Sequence, residues 1–70
     1  MIENKFANRL KTLREEKGLS QNKLSKATGI SQVAISRWER GKQIPNIDTA
    51  IIFAKYFGVS TDYLLGLEDY

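Results

Sequence analysis

The sequence predicts an all-α protein, a compact bundle of five short helices that forms a single domain over residues 1–70. Two observations support this fold class. Apolar residues recur at helical spacing in two segments, and a short pattern that is typical of helix starts occurs three times. No segment alternates apolar and polar residues in the way that is typical of a half-buried strand.

Three of the helix starts come from a pattern of an apolar residue, a serine, three further residues and a second apolar residue. It occurs as LSQNKL at 19–24, ISQVAI at 30–35 and VSTDYL at 59–64. A serine at the N-cap accepts a hydrogen bond from a free backbone N–H, and the two apolar residues can pack as a hydrophobic staple. Helices are therefore predicted to begin at Ser20, Ser31 and Ser60.

The first helix is predicted from apolar spacing alone. Phe6, Leu10 and Leu13 recur at i, i+4 and i+7, which indicates an amphipathic helix of about four turns. Gly18 is expected to end it, because glycine tolerates the left-handed conformation of a C-terminal cap.

A fourth helix is expected to begin near Asn46 or Ile47, after the single proline, Pro45, and to end at Gly58. Its expected core stripe consists of Ile47, Ala50, Ile51, Ala54 and Phe57.

The composition restricts the chemistry of the chain. It contains no cysteine and no histidine, so disulfides are excluded and neither a metal nor a cofactor is expected. The acidic residues form no evident catalytic pair, so the chain is not expected to be an enzyme. No apolar run is long enough to cross a membrane, and the N-terminus lacks the apolar core of a signal peptide. A cytoplasmic protein is therefore expected.

The charges are distributed unevenly. Residues 1–45 hold ten Lys and Arg against four Asp and Glu, a balance of +6, whereas residues 46–70 hold one against four, a balance of −3. The two balances sum to the net charge of +3. A basic half and an acidic half suggest a surface that faces a polyanion, although an unevenly charged solvated surface explains the same numbers.

Helices two and three are separated by a very short segment with Gly29 at the corner. Two short helices joined by such a turn are typical of a helix-turn-helix unit, here at about residues 20–40. An ordinary corner between two helices of a bundle is the alternative.

The third helix has two different faces. Ala34, Ile35 and Trp38 share one arc at about 100° per residue and are expected to be core. The opposite arc consists of Gln32, Val33, Ser36, Arg37 and Arg40. Glutamine can bind adenine, arginine can bind guanine, and an aliphatic group can contact the thymine methyl. This face is therefore predicted to read the DNA major groove, and a face that docks on another protein is the alternative.

The chain resembles the Cro/repressor type of helix-turn-helix (XRE-like) regulators. The resemblance is carried by LR at 13–14, GLSQ at 18–21, GIS at 29–31, ISRWERG at 35–41, and FGVSTDYLLG at 57–66, with Leu24 and Pro45. It implies a lambda-repressor-like DNA-binding domain and a sequence-specific transcriptional regulator of double-stranded DNA, most often a repressor. In this family the helix at 31–40 lies in the major groove, and the protein binds as a homodimer to an operator with two-fold symmetry.

The resemblance also implies roles for single residues. Gln32, Val33 and Arg37 match base-contacting positions, and Ser36 is added because it lies on the same face. The positions that resemble phosphate contacts are Gln21, Ser31, Arg40, Lys42 and Gln43. Arg14 and Glu39 match a pair that forms an internal ion pair between helix one and the end of helix three.

Three questions stay open at this point. A homodimer could form through Ile52, Tyr56, Leu65 and Leu67, or these residues could cap the core of a monomer. An antitoxin-like module that docks a protein rather than DNA is a rival function. The last residues, GLEDY, fit both a small Cro-like protein and the first domain of a longer repressor.

Overall fold

The computed structural model describes residues 5–41 and 43–68. Within these ranges the chain forms five α-helices and no strand, which confirms the predicted fold class. The helices are α1 (Phe6–Glu16), α2 (Gln21–Thr28), α3 (Gln32–Glu39), α4 (Ile47–Phe57) and α5 (Thr61–Leu65).

The predicted helix starts are confirmed by their capping hydrogen bonds. The hydroxyl oxygens of Ser20, Ser31 and Ser60 accept from the backbone N–H three residues later, at 3.0, 3.4 and 3.0 Å. Asn46 caps α4 in the same way, with its side-chain oxygen 2.9 Å from the accepted N–H. Each cap satisfies a backbone donor that has no partner within the helix.

Gly29 makes the corner between α2 and α3. Its φ of +76° lies in the left-handed region, where a residue with a Cβ is strained. Its N–H donates to the carbonyl of Ser25 at 2.8 Å and so closes the last turn of α2. The tight corner brings α3 against α2 within three residues, as a helix-turn-helix requires.

All five helices contribute side chains to one core. Its fully or almost fully buried members are Phe6, Leu10, Leu24, Ile35, Phe53, Ala54 and Leu64. Trp38 packs edge-on against the rings of Phe6 and Phe53, with centroids 6.2 and 5.8 Å away. Ile35 and Trp38 thus anchor the inward face of α3, as the helical phase predicted, and the opposite face is left outside the core.

The predicted core stripe of α4 is wrong at two positions. Ile47 and Ile51 are 60% and 37% exposed, whereas Phe53, which was not included in the stripe, is fully buried. At 100° per residue, Phe53 and Ala54 flank Ala50 on either side, while Ile51 lies a further 60° beyond Ala54.

The candidate dimer residues divide into two pairs. Tyr56 and Leu65 are partly buried and pack against the core. Ile52 and Leu67 are exposed. The first pair therefore has a packing role within one protomer, and the second pair offers the more exposed apolar surface.

Candidate nucleic-acid interface

The outward face of α3 carries the side chains that the sequence predicted there. Gln32, Val33 and Arg37 are exposed, and Ser36 is partly buried. Val33 is 59% exposed, although it is a β-branched apolar residue that gains nothing from contact with water. The face therefore combines an amide, a guanidinium and an aliphatic group on one rigid helix.

An ion pair joins α1 to the end of α3. The Nε and Nη2 atoms of Arg14 donate to the two carboxylate oxygens of Glu39 at 2.7 and 2.9 Å. The side chains are only 11% and 4% exposed. The Nη1 atom of Arg14 also donates to the carbonyl of Leu19 at 2.7 Å, which ties the segment before α2 to the same guanidinium.

The Glu39 carboxylate raises the pKa of Arg14. Hydrogen bonding to Glu39 is the largest contribution and raises the pKa of the Arg14 guanidinium, against a smaller opposing effect of burial. The arginine is therefore charged at every ordinary pH.

A chain of hydrogen bonds continues from this ion pair to Gln32 on the outward face of α3. The Nε2 atom of Gln21 donates to the Oε1 atom of Glu39 at 3.0 Å. The Nε2 atom of Gln32 then donates to the Oε1 atom of Gln21, also at 3.0 Å. The family resemblance implied only a phosphate contact for Gln21. Both glutamines follow an N-cap serine directly, but nothing in that local pattern indicates that they bond to each other.

The expected phosphate contacts lie at the two ends of α3. Ser31 is exposed, and its hydroxyl oxygen already accepts the capping bond. At the other end Arg40 is exposed and its Nε atom donates to the carbonyl of Ser36 at 3.4 Å. Gln43 is also exposed, whereas Lys42 lies outside the described residues.

Among the described residues, no group of three or more His, Cys, Asp or Glu side chains is placed to hold a metal ion. No helix in the part of the chain that the structure describes is long and apolar enough to cross a membrane.

Comparison with known families identifies the fold. The sequence profile of the helix-turn-helix family HTH_3 matches residues 10–64. The chain belongs to the Cro/repressor-type helix-turn-helix family. In this chain α2, the Gly29 corner and α3 have the arrangement of two short helices joined by a tight turn.

Two curated helix-turn-helix proteins are similar to most of this chain. The chain is 39% identical over 64 residues to the HTH-type transcriptional activator BcrR of Enterococcus faecalis, covering 91% of this chain and 31% of that protein. It is 38% identical over 60 residues to the uncharacterized SPbeta prophage-derived regulator YonR of Bacillus subtilis (strain 168), covering 86% and 56%. The chain thus spans between about a third and just over half of these relatives.

A solved helix-turn-helix structure matches over its full length. It is the P22 c2 repressor protein in complex with a synthetic operator, 33% identical in sequence. The superposition has a TM-score of 0.83 and covers 96% of this chain and 100% of that chain.

Proposed function

We propose that this chain is a sequence-specific, double-stranded DNA-binding transcriptional regulator that reads the major groove with α3. The observation that carries the proposal is Val33, 59% exposed between Gln32 and Arg37 on a helix whose other face is core. An exposed aliphatic side chain has a favourable partner in the methyl group of thymine, which is presented only in the major groove.

The polar residues of the face have matching partners on base edges. Gln32 can bind the N6 and N7 atoms of adenine, and Arg37 can bind the O6 and N7 atoms of guanine. Ser36 lies between them and can donate to or accept from either base. Each bidentate contact discriminates against a wrong base by about 1–3 kcal/mol.

The residues at the ends of α3 are proposed to hold the sugar–phosphate backbone. Gln21 and Ser31 would contact it near the start of α3, and Arg40, Lys42 and Gln43 near its end. Such contacts fix the position of the protein on the duplex and carry no direct sequence information.

The proposal includes a homodimer on an operator with two-fold symmetry, the arrangement that the family resemblance implies. The half-sites would lie about 10 base pairs apart, one turn of DNA, or a multiple of this. Repression is the expected outcome of binding, although the relatives include both an activator and a repressor by name. A cytoplasmic location belongs to the same proposal, because the regulator must reach the DNA. The absence of enzymatic activity stays a prediction.

The test is selection of bound duplexes from random DNA, followed by a binding matrix over every single-base variant of the selected site at fixed salt. Arg37→Ala is expected to flatten the preference at one position in each half-site and to leave the others unchanged. Lys42→Ala should weaken all sequences alike and lower the salt slope by about one. Lys55→Ala, with the same charge change on α4, is the matched control and should have little effect.

Two results would contradict the proposal. If Arg37→Ala lowered affinity uniformly and left the shape of the matrix intact, Arg37 would not read a base. If the parent protein showed neither sequence preference nor weakening as salt rises, the DNA-binding function itself would be wrong. The rival function, a module that docks a protein, would then be favoured.

A further inference from the structure

We infer that Glu39 is a positioning residue for base recognition, although its side chain is buried and is not expected to touch DNA. Held by Arg14, its carboxylate orients the amide of Gln21, which in turn orients the amide of Gln32 for adenine. The inference rests on the proposed function, since it assigns the source of specificity at the base that Gln32 reads.

The first step is the fixed position of the carboxylate. Both of its oxygens accept hydrogen bonds from Arg14, at 2.7 and 2.9 Å, and the Glu39 side chain is 4% exposed. A bidentate arginine–carboxylate pair allows little rotation of either group, because both hydrogen bonds constrain the same plane.

The second step is the orientation of the Gln21 amide. An ionised carboxylate only accepts hydrogen bonds, so Gln21 must present its NH₂ group to Glu39, as it does at 3.0 Å. The reverse orientation would bring the amide oxygen of Gln21 against a carboxylate oxygen, with no hydrogen between them. The Oε1 atom of Gln21 is therefore directed away from Glu39, toward the start of α3.

The third step is the orientation of Gln32. The Oε1 atom of Gln21 accepts, so Gln32 must present its NH₂ group to it, and the two atoms are 3.0 Å apart. Gln32 keeps one N–H donor and its own Oε1 acceptor for DNA. The major-groove edge of adenine offers one acceptor, N7, and one donor, N6, which match this pair. Guanine offers two acceptors there and leaves the Oε1 atom of Gln32 without a donor.

Arg37 provides an internal reference for the test. The guanidinium of Arg37 has only donors. Its preference for a base therefore does not depend on how a glutamine amide is oriented. A change that acts through the glutamine amides should alter the matrix at the Gln32 position and spare the Arg37 position. A general loosening of α3 should alter both positions.

The first experiment uses the free protein. Side-chain ¹⁵N relaxation is measured for Gln21 and Gln32 in the parent, in Glu39→Gln and in Glu16→Gln, a control with the same charge change at an exposed position of α1. In the parent and the control the two amide groups should be ordered, with order parameters above about 0.6. In Glu39→Gln they should fall below this value, because a side chain with both a donor and an acceptor no longer imposes one orientation.

The second experiment is the binding matrix for the same variants at fixed salt, at a temperature where Trp38 fluorescence shows each to be folded. The parent should prefer adenine at the Gln32 position by about tenfold or more. Glu39→Gln should lose most of this preference and keep the preference at the Arg37 position. Glu16→Gln should keep both.

A further variant, Gln21→Met, interrupts the same chain of hydrogen bonds and leaves the ion pair intact. It should lower affinity for all sequences through a lost phosphate contact and, in addition, remove the adenine preference. It decides the question if Glu39→Gln does not fold.

The outcomes separate the inference from the proposed function. A folded Glu39→Gln or Gln21→Met variant that keeps both the ordered Gln32 amide and the adenine preference overturns the inference and leaves DNA binding untouched. A parent protein with no base preference contradicts the proposed function, even if the amides are ordered as expected, and the role of Glu39 in recognition fails with it.

Discussion

Replacing Arg14 by methionine should strongly destabilise the folded protein. Methionine keeps most of the aliphatic stem and removes the charge, so it isolates the ion pair from the packing of the side chain. The Glu39 carboxylate, 4% exposed, would keep only the hydrogen bond from Gln21, and the carbonyl of Leu19 would lose its guanidinium donor. Breaking a buried pair in this way costs about 3–5 kcal/mol, against about 0–1 kcal/mol for an exposed pair.

The size of the domain makes this loss severe. A chain of 70 residues is expected to have a free energy of unfolding of roughly 4–10 kcal/mol. One kcal/mol shifts the melting temperature of such a domain by about 4–8 °C, so Arg14→Met should lower it by roughly 12–40 °C. The pKa of Arg14 is raised in the folded protein, so the stability that it contributes is fully present below its unfolded pKa. It would be lost in strong alkali, as the pH rises through the folded pKa, and the effect should be the same at pH 6 and pH 9.

The assay is thermal unfolding followed by circular dichroism and by the fluorescence of Trp38, the single tryptophan. Glu16→Met, at an exposed position of the same helix, is the control and should change stability by no more than about 0.5 kcal/mol. The double variant Arg14→Met with Glu39→Met should recover most of the loss, because neither charge remains buried without its partner. Melting temperatures of Arg14→Met and Glu16→Met that agree within about 2 °C would refute the reasoning.

Three further outcomes are expected. Gly66→Ala should lower the free energy of unfolding in urea by about 1 kcal/mol more than Gly18→Ala. A Cβ at Gly66 would lie 2.6 Å from the Cβ of Lys5, whereas one at Gly18 would meet nothing within 4 Å. Equal losses for the two variants would contradict this. Phe53→Ala should lower the free energy of unfolding by about 3–5 kcal/mol in the same measurement, since the fully buried ring of Phe53 contacts two other rings. A loss below about 1 kcal/mol would contradict the place of Phe53 in the core. Sedimentation of the DNA complex should show two protomers per operator, and one protomer at saturation would exclude the homodimer.

The helix starts could be predicted from the sequence because N-capping is local. Ser20, Ser31 and Ser60 each bond to an N–H three residues away, so the signal and the interaction lie within one short segment. The buried side of α4 was predicted less well. Ile51 and Phe53 lie on opposite sides of Ala50, and apolar character alone does not determine which side meets the other helices.

The outward face of α3 could be predicted from helical phase, because Ala34, Ile35 and Trp38 are apolar, lie on one side and so define the opposite side. The hydrogen bond between Gln21 and Gln32 could not be predicted in this way. It depends on the angle between α2 and α3, which is fixed by the Gly29 corner and by side chains of the shared core. The pairing of Arg14 with Glu39 was implied by the family resemblance and not by spacing, since the two residues are 25 positions apart.

The placement of α3 connects stability to specificity. A helix of eight residues is too short to be stable alone in water, so tertiary contacts determine both its existence and its position. Ile35 and Trp38 hold its inward face, and Glu39 holds its last turn against α1 while its carboxylate also directs the glutamine amides. Variants of Glu39 should therefore lose stability and adenine preference together. Phe53→Ala should reduce stability without altering the adenine preference wherever it remains folded. Gln21→Met should reduce affinity and the adenine preference without a comparable loss of stability, since it leaves the core and the ion pair in place.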